Sequence, residues 1–166
     1  MEDLSIETYQ AEYKNAIIDL ILDIQVKEFG IPITREDQPD LSNIPKFYQT
    51  GAGNFWTAVC GGKVVGTAAL LDIGNNQAAM RKFFVNPAYR GSRYNTAKQL
   101  ITALLTWAAD HNVTEVFLGT TAKFLAAHRF YEKNGFVEIT KQNLPEAFPV
   151  MKVDTKFYYY QVKPEQ

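Results

Sequence analysis

A polar loop between two apolar segments carries the side chains best suited to bind an anion. It contains the run Arg90-Gly91-Ser92-Arg93-Tyr94-Asn95-Thr96. The N-terminus of a helix exposes unpaired N–H groups and about half a positive charge, which favours a phosphate. Gly91 permits close backbone approach, and Arg90 and Arg93 supply guanidinium groups that match phosphate oxygens. The residues suited to cap the helix or to donate directly are Ser92, Asn95 and Thr96. A capped helix with solvated arginines would give the same pattern, so the loop alone leaves both interpretations open.

A second stretch offers acid–base chemistry: Ala126-Ala127-His128-Arg129-Phe130-Tyr131-Glu132-Lys133-Asn134-Gly135-Phe136. A tyrosine hydroxyl has an ordinary pKa of about 10, so it stays protonated at neutral pH and can donate to a leaving group. Tyr131 is therefore a candidate general acid. Taken alone, the stretch favours the alternative that Tyr131 is a core aromatic residue beside Phe130. His128, one turn earlier, is a weaker candidate for a proton relay.

The composition limits the class of protein. The chain has 166 residues, 46% of them apolar and 21% charged, which predicts one globular domain over 1–166. Seventeen basic and eighteen acidic side chains leave a net charge of −1. A surface for nucleic acid would require a basic stripe, so we expect no nucleic-acid partner. We also predict no metal site.

The single cysteine and the early apolar run indicate a compartment. One cysteine, Cys60, cannot form an internal disulfide, which favours a reducing cytoplasmic location. Cys60 follows the apolar run FWTAV and is predicted to be a buried structural thiol rather than a nucleophile. The run from Ile17 to Ile24 contains two aspartates and is too short to cross a bilayer, and the first ten residues lack the layout of a secretion signal. We therefore expect no membrane partner.

Strands and helices must position both stretches. Residues 5–9 predict a first strand, and the helical spacing of Tyr13, Ile17, Ile21 and Ile24 predicts a helix ending near Phe29. A loop over 34–40 and a short helix over 41–48 follow. Apolar segments over 54–60 and 63–73, joined by Gly61-Gly62, predict a β-hairpin, and 77–85 adds a third antiparallel strand ended by Pro87.

The second half of the chain alternates more regularly. The strongest helix is predicted from one apolar stripe, formed by Ala97, Leu100, Ile101, Leu104, Leu105 and Ala108. A buried strand over 115–119, a helix over 122–133 and closing strands over 136–140 and 153–162 follow. This order predicts an α+β domain with one mixed, mostly antiparallel sheet of about seven strands flanked by about four helices.

Both functional stretches resemble motifs of one family. The run V-x-P-x-Y-R-G that ends at Gly91, followed by a helix, resembles the coenzyme-A loop of the GNAT superfamily of N-acetyltransferases. Asn95 stands where the family usually has glycine, and Ala97 fills the last small position. Asn tolerates positive φ, so the loop can still form. The stretch over 126–136 is similar to the A-x-x-F-Y-E-K-x-G-F signature of the family's second cofactor helix. The two motifs occur in the family's order, and the resemblance covers nearly the whole chain.

The resemblance implies a GNAT-like fold and an acetyl-CoA-dependent N-acetyltransferase that acts by direct attack of a primary amine. It places Tyr131 as the general acid. The residues that it implies for acetyl-CoA binding are Phe84, Val85, Arg90, Gly91, Ser92, Arg93, Tyr94, Asn95, Thr96, Ala97, Ala127, Phe130 and Lys133.

The resemblance does not identify the general base. Many relatives have a glutamate on the strand before the pyrophosphate loop, whereas this chain has Met80-Arg81-Lys82-Phe83 there. An alkylammonium with a pKa of about 10.4 is neutral roughly once in 2,500 molecules at pH 7, so a base is needed. The candidate carboxylates are Glu28, Glu36, Asp37 and Asp40, each of which is more simply a surface charge.

The acceptor side is expected to be formed by the crossover over 144–151, whose phenylalanine, methionine and prolines predict an apolar wall. Arg81 or Lys82 facing the pocket would favour an acceptor with a carboxylate, such as an amino acid. Other acceptors remain open, including peptide amines. So does a different class of protein, a catalytically silent acyl-CoA sensor or scaffold. The aromatic strand at 157–160 could pair with a second chain and form a homodimer.

Overall fold

Seven strands form a mixed sheet in the computed structural model, which describes residues 3–163. The strands are β1 (Leu4–Thr8), β2 (Asn54–Cys60), β3 (Lys63–Gly74), β4 (Gln77–Val85), β5 (Glu115–Thr120), β6 (Val137–Ile139) and β7 (Lys156–Gln161). Their order across the sheet is β1-β2-β3-β4-β5-β7-β6, and only the β4–β5 pair is parallel within the described residues. The predicted α+β class with a mostly antiparallel mixed sheet is confirmed.

Four α-helices flank the sheet within residues 3–163. They are α1 (Lys14–Leu22), α2 (Ile44–Phe47), α3 (Thr96–Asp110) and α4 (Leu125–Lys133). Among these described residues, no helix has both the length and the apolar character needed to cross a bilayer. The predicted order of elements is confirmed, and the differences lie at their boundaries. The helix predicted from residue 122 begins at Leu125, and the strand predicted over 153–162 is Lys156–Gln161.

Two predicted helices have a different local geometry. The helix predicted to end near Phe29 continues past α1 as a π-helix, Asp23–Glu28, in which the Phe29 amide bonds the Ile24 carbonyl five residues back. The helix predicted over 41–48 is split into a 3₁₀ turn, Pro39–Ser42, and the single turn of α2. Pro45 lies in the first turn of α2, and the Asn43 side chain accepts from the Lys46 amide, so the helix starts anew there.

The two faces of the sheet are covered by different helices. Alternate residues of β2 and β3 point to opposite sides, because side chains along a strand alternate. Trp56 and Val65 pack with the apolar stripe of α3, whereas Phe55 and Val64 pack with Ile17, Ile18 and Ile21 of α1. The stripe predicted from the sequence is thus the buried face of α3, with Leu100, Ile101, Leu104 and Ala108 fully buried.

The cleft of the molecule arises where β4 and β5 separate. Their parallel pairing covers only three residue pairs, the last of which is Ala79 with Phe117. Beyond it, β4 bends at a bulge, where the pairing with β3 jumps from Thr67–Phe84 to Ala69–Arg81. Bulges bend a strand and increase its twist. The two central strands therefore diverge toward their C-terminal ends, and side chains and loops from both faces line the gap.

The aromatic strand near the C-terminus, for which the sequence left pairing with a second chain open, lies inside the sheet and not at its edge. β7 pairs with β5 on one side and with β6 on the other. β5 pairs with β7 from Lys156 to Gln161, whereas β6 pairs with Phe157, Tyr158 and Tyr159. Pairing of a second chain with these three residues would first require the loss of β6.

Gly53 provides a test of the backbone packing beside β2. A Cβ at residue 53 would lie 2.2 Å from the Tyr48 carbonyl oxygen and 2.7 Å from the Leu70 carbonyl oxygen. Both obstacles are backbone, so Gly53→Ala is expected to lower the free energy of unfolding by about 3 kcal/mol. Urea unfolding followed by circular dichroism measures the change. As a control, Gly62→Asn changes a glycine where nothing lies within 4 Å of a Cβ and where Asn tolerates the positive φ, so a loss below about 1 kcal/mol is expected. Equal losses in the two variants would contradict the assigned packing.

Candidate active site

Two cavities flank the gap between β4 and β5, and Tyr131 of α4 contacts both. Phe83 and Phe84 of β4 and Phe124, which precedes α4, also line both cavities. One cavity opens toward the loop before α3, and the other opens toward the crossover between β6 and β7. Molecules bound in the two cavities would thus meet beside Tyr131.

The cavity on the α3 side has a volume of about 250 Å³ and a mostly apolar lining. It brings together eight residues that the sequence analysis assigned to the site: Phe84, Val85, Arg90, Gly91, Ala97, Ala127, Phe130 and Tyr131. Ile24 and Phe29 close the opposite wall. The shape is that of an apolar channel that ends at a polar loop, which suits a long aliphatic chain with an anionic group.

The polar loop has the backbone shape expected of an anion-binding turn. Gly91 has φ 93°, and Asn95 adopts the left-handed conformation with φ 56°, where the family usually has glycine. The Asn95 amide donates to the Gly91 carbonyl, which closes the turn. No side chain caps the N-terminus of α3 in the described structure, so the amides of its first turn can bind an anion.

Two residues assigned to the cofactor have side chains that are already engaged. Thr96 is 1% exposed, and its hydroxyl donates to the Tyr89 carbonyl, so its side chain is not available to a ligand. Arg90 makes a bidentate ion pair with Glu28 at 2.6 and 2.8 Å and donates from Nε to the Val85 carbonyl. The Arg90 guanidinium therefore joins the loop to the π-helix instead of pointing freely at a phosphate. Sequence could not show this pairing, because the two residues are 62 positions apart.

The remaining predicted cofactor residues lie at the rim or outside the cavity. Ser92, Arg93 and Asn95 are exposed on the loop at its mouth, and the Arg93 guanidinium lies over the Tyr94 ring. Tyr94 packs on Tyr89 with ring centroids 4.8 Å apart, and this contact anchors the loop. Lys133 is exposed in the last turn of α4 and does not line either cavity.

Tyr131 is fixed by aromatic packing with its hydroxyl left unpaired. The residue is 5% exposed, and its ring contacts those of Phe83, Phe136 and Tyr158 at centroid distances of 5.7 to 6.0 Å. Within residues 3–163 every fully buried side-chain nitrogen or oxygen has a hydrogen-bond partner, whereas the Tyr131 hydroxyl has none. The hydroxyl is therefore not fully buried, and it faces the cavities that its side chain lines. Burial raises the pKa of Tyr131 above its usual value. The phenol therefore stays protonated throughout the neutral range.

The cavity on the crossover side has a volume of about 110 Å³, which is room for a small molecule. Phe148, Pro149 and Met151 form one wall, and Arg81 and Lys82 lie on β4. The Arg81 guanidinium lies over the rings of Phe47 and Tyr48 and contacts the Met151 sulfur at 3.4 Å. A thioether is a weak acceptor. Within the described residues the Arg81 donors thus have no strong partner, which leaves them available to an anion.

Lys82 belongs to a buried polar network beside the cavity. Its side chain is 7% exposed, and Nζ donates to Gln38 Oε1 and lies 3.8 Å from Asp40 Oδ2. Asp40 accepts from the Tyr48 hydroxyl, and Gln38 exchanges hydrogen bonds with Gln25. Lys82 itself has φ 52°, a strained conformation for a non-glycine residue, at the β4 bulge. The Lys82 charge is thus balanced by Asp40, unlike that of Arg81.

This burial predicts a pH dependence of stability. Desolvation lowers the pKa of Lys82 to about 8, although Asp40 opposes the shift. An unfolded lysine has a pKa of about 10.4, so between these values the unfolded chain binds more protons than the folded chain. The contribution of Lys82 to the free energy of unfolding therefore rises with pH in that window and is lowest below it. We expect the stability of the native chain relative to Lys82→Met to increase by about 3 kcal/mol between pH 7.5 and 10.5. Urea unfolding of both proteins across that range measures it, and a flat difference would contradict the buried amine.

The four carboxylates proposed from the sequence as bases are poorly placed. Glu28 is paired with Arg90, and Asp40 is paired with Tyr48 and Lys82. Glu36 and Asp37 are exposed, and Asp37 accepts from the Thr34 amide in its own loop. None of the four lines either cavity. The structure thus gives no support to these candidates.

The two histidines have local structural partners. His128 is buried, its Nε2 lies 2.9 Å from the Thr121 carbonyl, and burial lowers its pKa. His111 ends α3 and stacks on Trp107 with ring centroids 3.6 Å apart. Neither histidine lines the cavities, so the proton-relay hypothesis for His128 loses its basis.

Sequence reasoning missed several residues of the cavity on the crossover side, among them Asp154 and Gly119. Asp154 precedes β7 in a turn without a recognisable motif. Gly119 lies within β5, and a glycine inside a strand signals the close approach of another group, so this signal was readable. The approaching group proved to be the Asp154 carboxylate.

The family model for the acetyltransferase (GNAT) family matches residues 18–136, a span that includes every residue lining the cavity on the α3 side. The chain belongs to the GNAT family. A GNAT-family acetyltransferase from Staphylococcus aureus Mu50 is 40% identical, with a TM-score of 0.93 over 96% of this chain and 99% of that one. An acetyltransferase from Streptococcus agalactiae is 31% identical, with a TM-score of 0.92 over 97% of this chain and 99% of that one. The predicted family and fold are confirmed.

A curated relative is similar over part of its length. N-acetylaspartate synthetase from Xenopus tropicalis is 38% identical over 102 residues, which are 60% of this chain and 37% of that protein. The chain therefore spans little more than a third of the length of this relative. The shared part is shorter than either protein.

Proposed function

We propose that this GNAT protein is an N-acetyltransferase that transfers the acetyl group of acetyl-CoA to the primary amine of a small molecule or amino acid. The observation that carries the proposal is the position of Tyr131, which lines both the apolar cavity beside the loop before α3 and the smaller cavity beside the crossover, with a hydroxyl that has no hydrogen-bond partner within residues 3–163. Family membership supports the same chemistry.

We propose that acetyl-CoA binds at the cavity on the α3 side. Its pyrophosphate would bind the amide groups at the start of α3, with Ser92 and Arg93 at the mouth of the loop. The aliphatic arm would run along Phe84, Ala127 and Phe130 toward the gap between β4 and β5. The thioester would then lie where the strands separate, beside Tyr131.

The reaction in this geometry is a direct transfer. The neutral amine attacks the thioester carbonyl carbon and forms the C–N bond, and the tetrahedral intermediate collapses as the C–S bond breaks. The leaving sulfur takes a proton or hydrogen bond from the Tyr131 hydroxyl, whose raised pKa keeps it protonated until this step. The nitrogen loses one proton as the amide forms, and solvent returns a proton to the Tyr131 oxygen. Cys60 is buried outside both cavities, which is consistent with transfer that bypasses a cysteine intermediate.

We propose that the acceptor carries a carboxylate. Arg81 lines the small cavity with its guanidinium donors directed at no strong acceptor within residues 3–163, and a carboxylate would complete them. N-acetylaspartate synthetase is named for such an acceptor, an amino acid. We further propose a cytoplasmic location, which a single buried cysteine suits. A homodimer would have to form through a surface other than β7.

The proposal is tested by titration with coenzyme A and by turnover of acetyl-CoA with a library of amines and amino acids, read by mass spectrometry. We expect binding and acetylation of one acceptor class. No affinity for coenzyme A would overturn the proposal. Binding without turnover of any amine would favour the alternative, a silent acyl-CoA sensor, and turnover of peptide amines alone would favour a protein acetyltransferase.

A further inference from the structure

The site has a proton donor for the leaving sulfur, so the open question is which group receives the proton of the acceptor amine. Asp154 is the one carboxylate that lines either cavity within residues 3–163. It lies on the wall opposite β4, in the turn that leads into β7. Its position, unlike its sequence context, marks it as a group with access to the acceptor.

The Asp154 carboxylate is held in place by two backbone features. Oδ2 accepts a hydrogen bond of 2.9 Å from the Met151 amide. The carboxylate also lies directly over Gly119, where a Cβ would come within 2.5 Å of Oδ2 and 2.7 Å of Cγ. Gly119 is two residues beyond the last pair that joins β5 to β4, at the opening of the gap. A missing side chain in β5 thus lets the carboxylate reach the reaction centre.

The second carboxylate oxygen has no protein partner. Oδ1 accepts no hydrogen bond from residues 3–163, and no ion pair joins Asp154 to a cation there within 4 Å. The charged groups that face it are Arg81 and Lys82 of β4, and β5 contributes no titratable side chain at Gly119. Burial raises the pKa of Asp154, although the Met151 amide, Arg81 and Lys82 oppose the shift. A carboxylate with a raised pKa is a better proton acceptor than an ordinary aspartate.

We propose that Asp154 is the general base of the acetyl transfer, receiving the proton of the acceptor's ammonium group on Oδ1 directly or through one water. The inference rests on the proposed function and deepens it. The first ammonium proton passes from nitrogen to Asp154, and the freed lone pair attacks the thioester carbon and forms the C–N bond. The C–S electron pair leaves with sulfur, which takes the Tyr131 proton, and nitrogen loses its second proton through solvent to the Tyr131 oxygen as the amide forms. Asp154 then releases its proton to solvent. With Arg81 at the carboxylate and Asp154 at the ammonium, the cavity offers one opposite charge to each end of an amino acid.

The first test compares two acceptors that differ in amine basicity. Asp154→Asn keeps the shape of the side chain and its bond to the Met151 amide. With an amino-acid acceptor, we expect kcat/KM to fall about 100-fold. With an aminooxy acid, whose amine is already neutral at pH 7, we expect a fall below threefold after the nonenzymatic rate is subtracted. An equal loss with both acceptors, or no loss with the amino acid, would overturn the proposal.

The pH profile gives a second readout that a merely structural role would not change. In the native protein, kcat/KM should fall at acid pH as Asp154 becomes protonated, and its raised pKa places this fall above the usual range of aspartate. In Asp154→Asn, kcat/KM should instead rise steadily with pH up to the pKa of the acceptor amine. An unchanged acid limb in the variant would refute the assignment.

A variant on the neighbouring strand tests the position of the Asp154 carboxylate separately from its ability to accept a proton. Gly119→Ala keeps the aspartate at position 154 but adds a Cβ that forces its carboxylate away from β5. We expect kcat/KM to fall about tenfold with the amino acid and not with the aminooxy acid. Glu146→Gln, an exposed carboxylate in the same crossover, is the matched control and should retain the native rate. Coenzyme A titration of every variant separates the two proposals. If the native chain binds coenzyme A and turns over, and Asp154→Asn does so equally well, only the assignment of the base is wrong. If the native chain does not bind coenzyme A, the proposed function itself is wrong.

Discussion

Tyr131→Phe is expected to lower kcat about 10²- to 10³-fold while the Kd for coenzyme A changes less than threefold. The substitution removes one hydroxyl that faces both cavities and leaves the ring, whose contacts with Phe83, Phe136 and Tyr158 hold it in place. Because the hydroxyl has no hydrogen-bond partner within the described residues, its loss should cost little stability. Steady-state turnover and calorimetric titration of coenzyme A measure the two effects separately.

A neighbouring tyrosine provides the matched control for this variant. Tyr158 contacts the Tyr131 ring, but its hydroxyl donates to Glu132 at 2.6 Å and faces neither cavity. Tyr158→Phe should therefore keep kcat within about threefold of native and lose about 1 kcal/mol of stability. If Tyr131→Phe were as active as Tyr158→Phe, the proton of the leaving thiol would have to come from another source.

Arg81→Met is expected to lower kcat/KM for a carboxylate-bearing amine about 10- to 100-fold, mainly through KM, because a hydrogen bond to a charged group contributes about 1.5–3 kcal/mol. The same variant should acetylate the decarboxylated amine at a rate within threefold of native. The methionine side chain can keep the apolar contacts with Phe47 and Tyr48. The preference for the amino acid over its amine is the quantity to measure, since a general loss of activity cancels in that ratio.

The exposed Lys163→Met variant controls for the loss of one positive charge outside the acceptor cavity and should keep the native preference. A native protein that acetylates the amino acid and its amine equally well would remove the carboxylate from the proposed acceptor class. Such a result would leave the acetyl transfer itself standing.

Local patterns were sufficient for most of the fold. The six-residue stripe of α3, the glycine pair between β2 and β3, and the alternation of both strands predicted elements that the structure contains, because each signal depends on residues close in sequence. The predicted helix boundaries were wrong where a non-local or unusual hydrogen bond determines the end of the helix. The π-helix after α1 and the split before α2 depend on which carbonyl each amide reaches, and periodicity does not specify this.

The motif around Tyr131 and the loop with Gly91 and Asn95 were enough to indicate the correct family, since short motifs encode a backbone conformation and its ligand together. The same reasoning assigned Arg90 and Thr96 to the cofactor, and tertiary contacts gave their side chains other partners. A side chain's type is local information, whereas its partner depends on what the fold brings near it.

The sequence by itself determined the family, the order of strands and helices, and the tyrosine proposed to protonate the leaving group. Only the tertiary structure decided which charges remain unpaired in the cleft. Lys82 and Arg81 are adjacent on β4, yet among residues 3–163 a carboxylate lies within 4 Å of Lys82 and none lies so close to Arg81. Asp154 reaches the gap because Gly119, 35 positions earlier, has no side chain to exclude it. Electrostatic pairing acts over a few ångströms in space, and distance along the chain does not predict it.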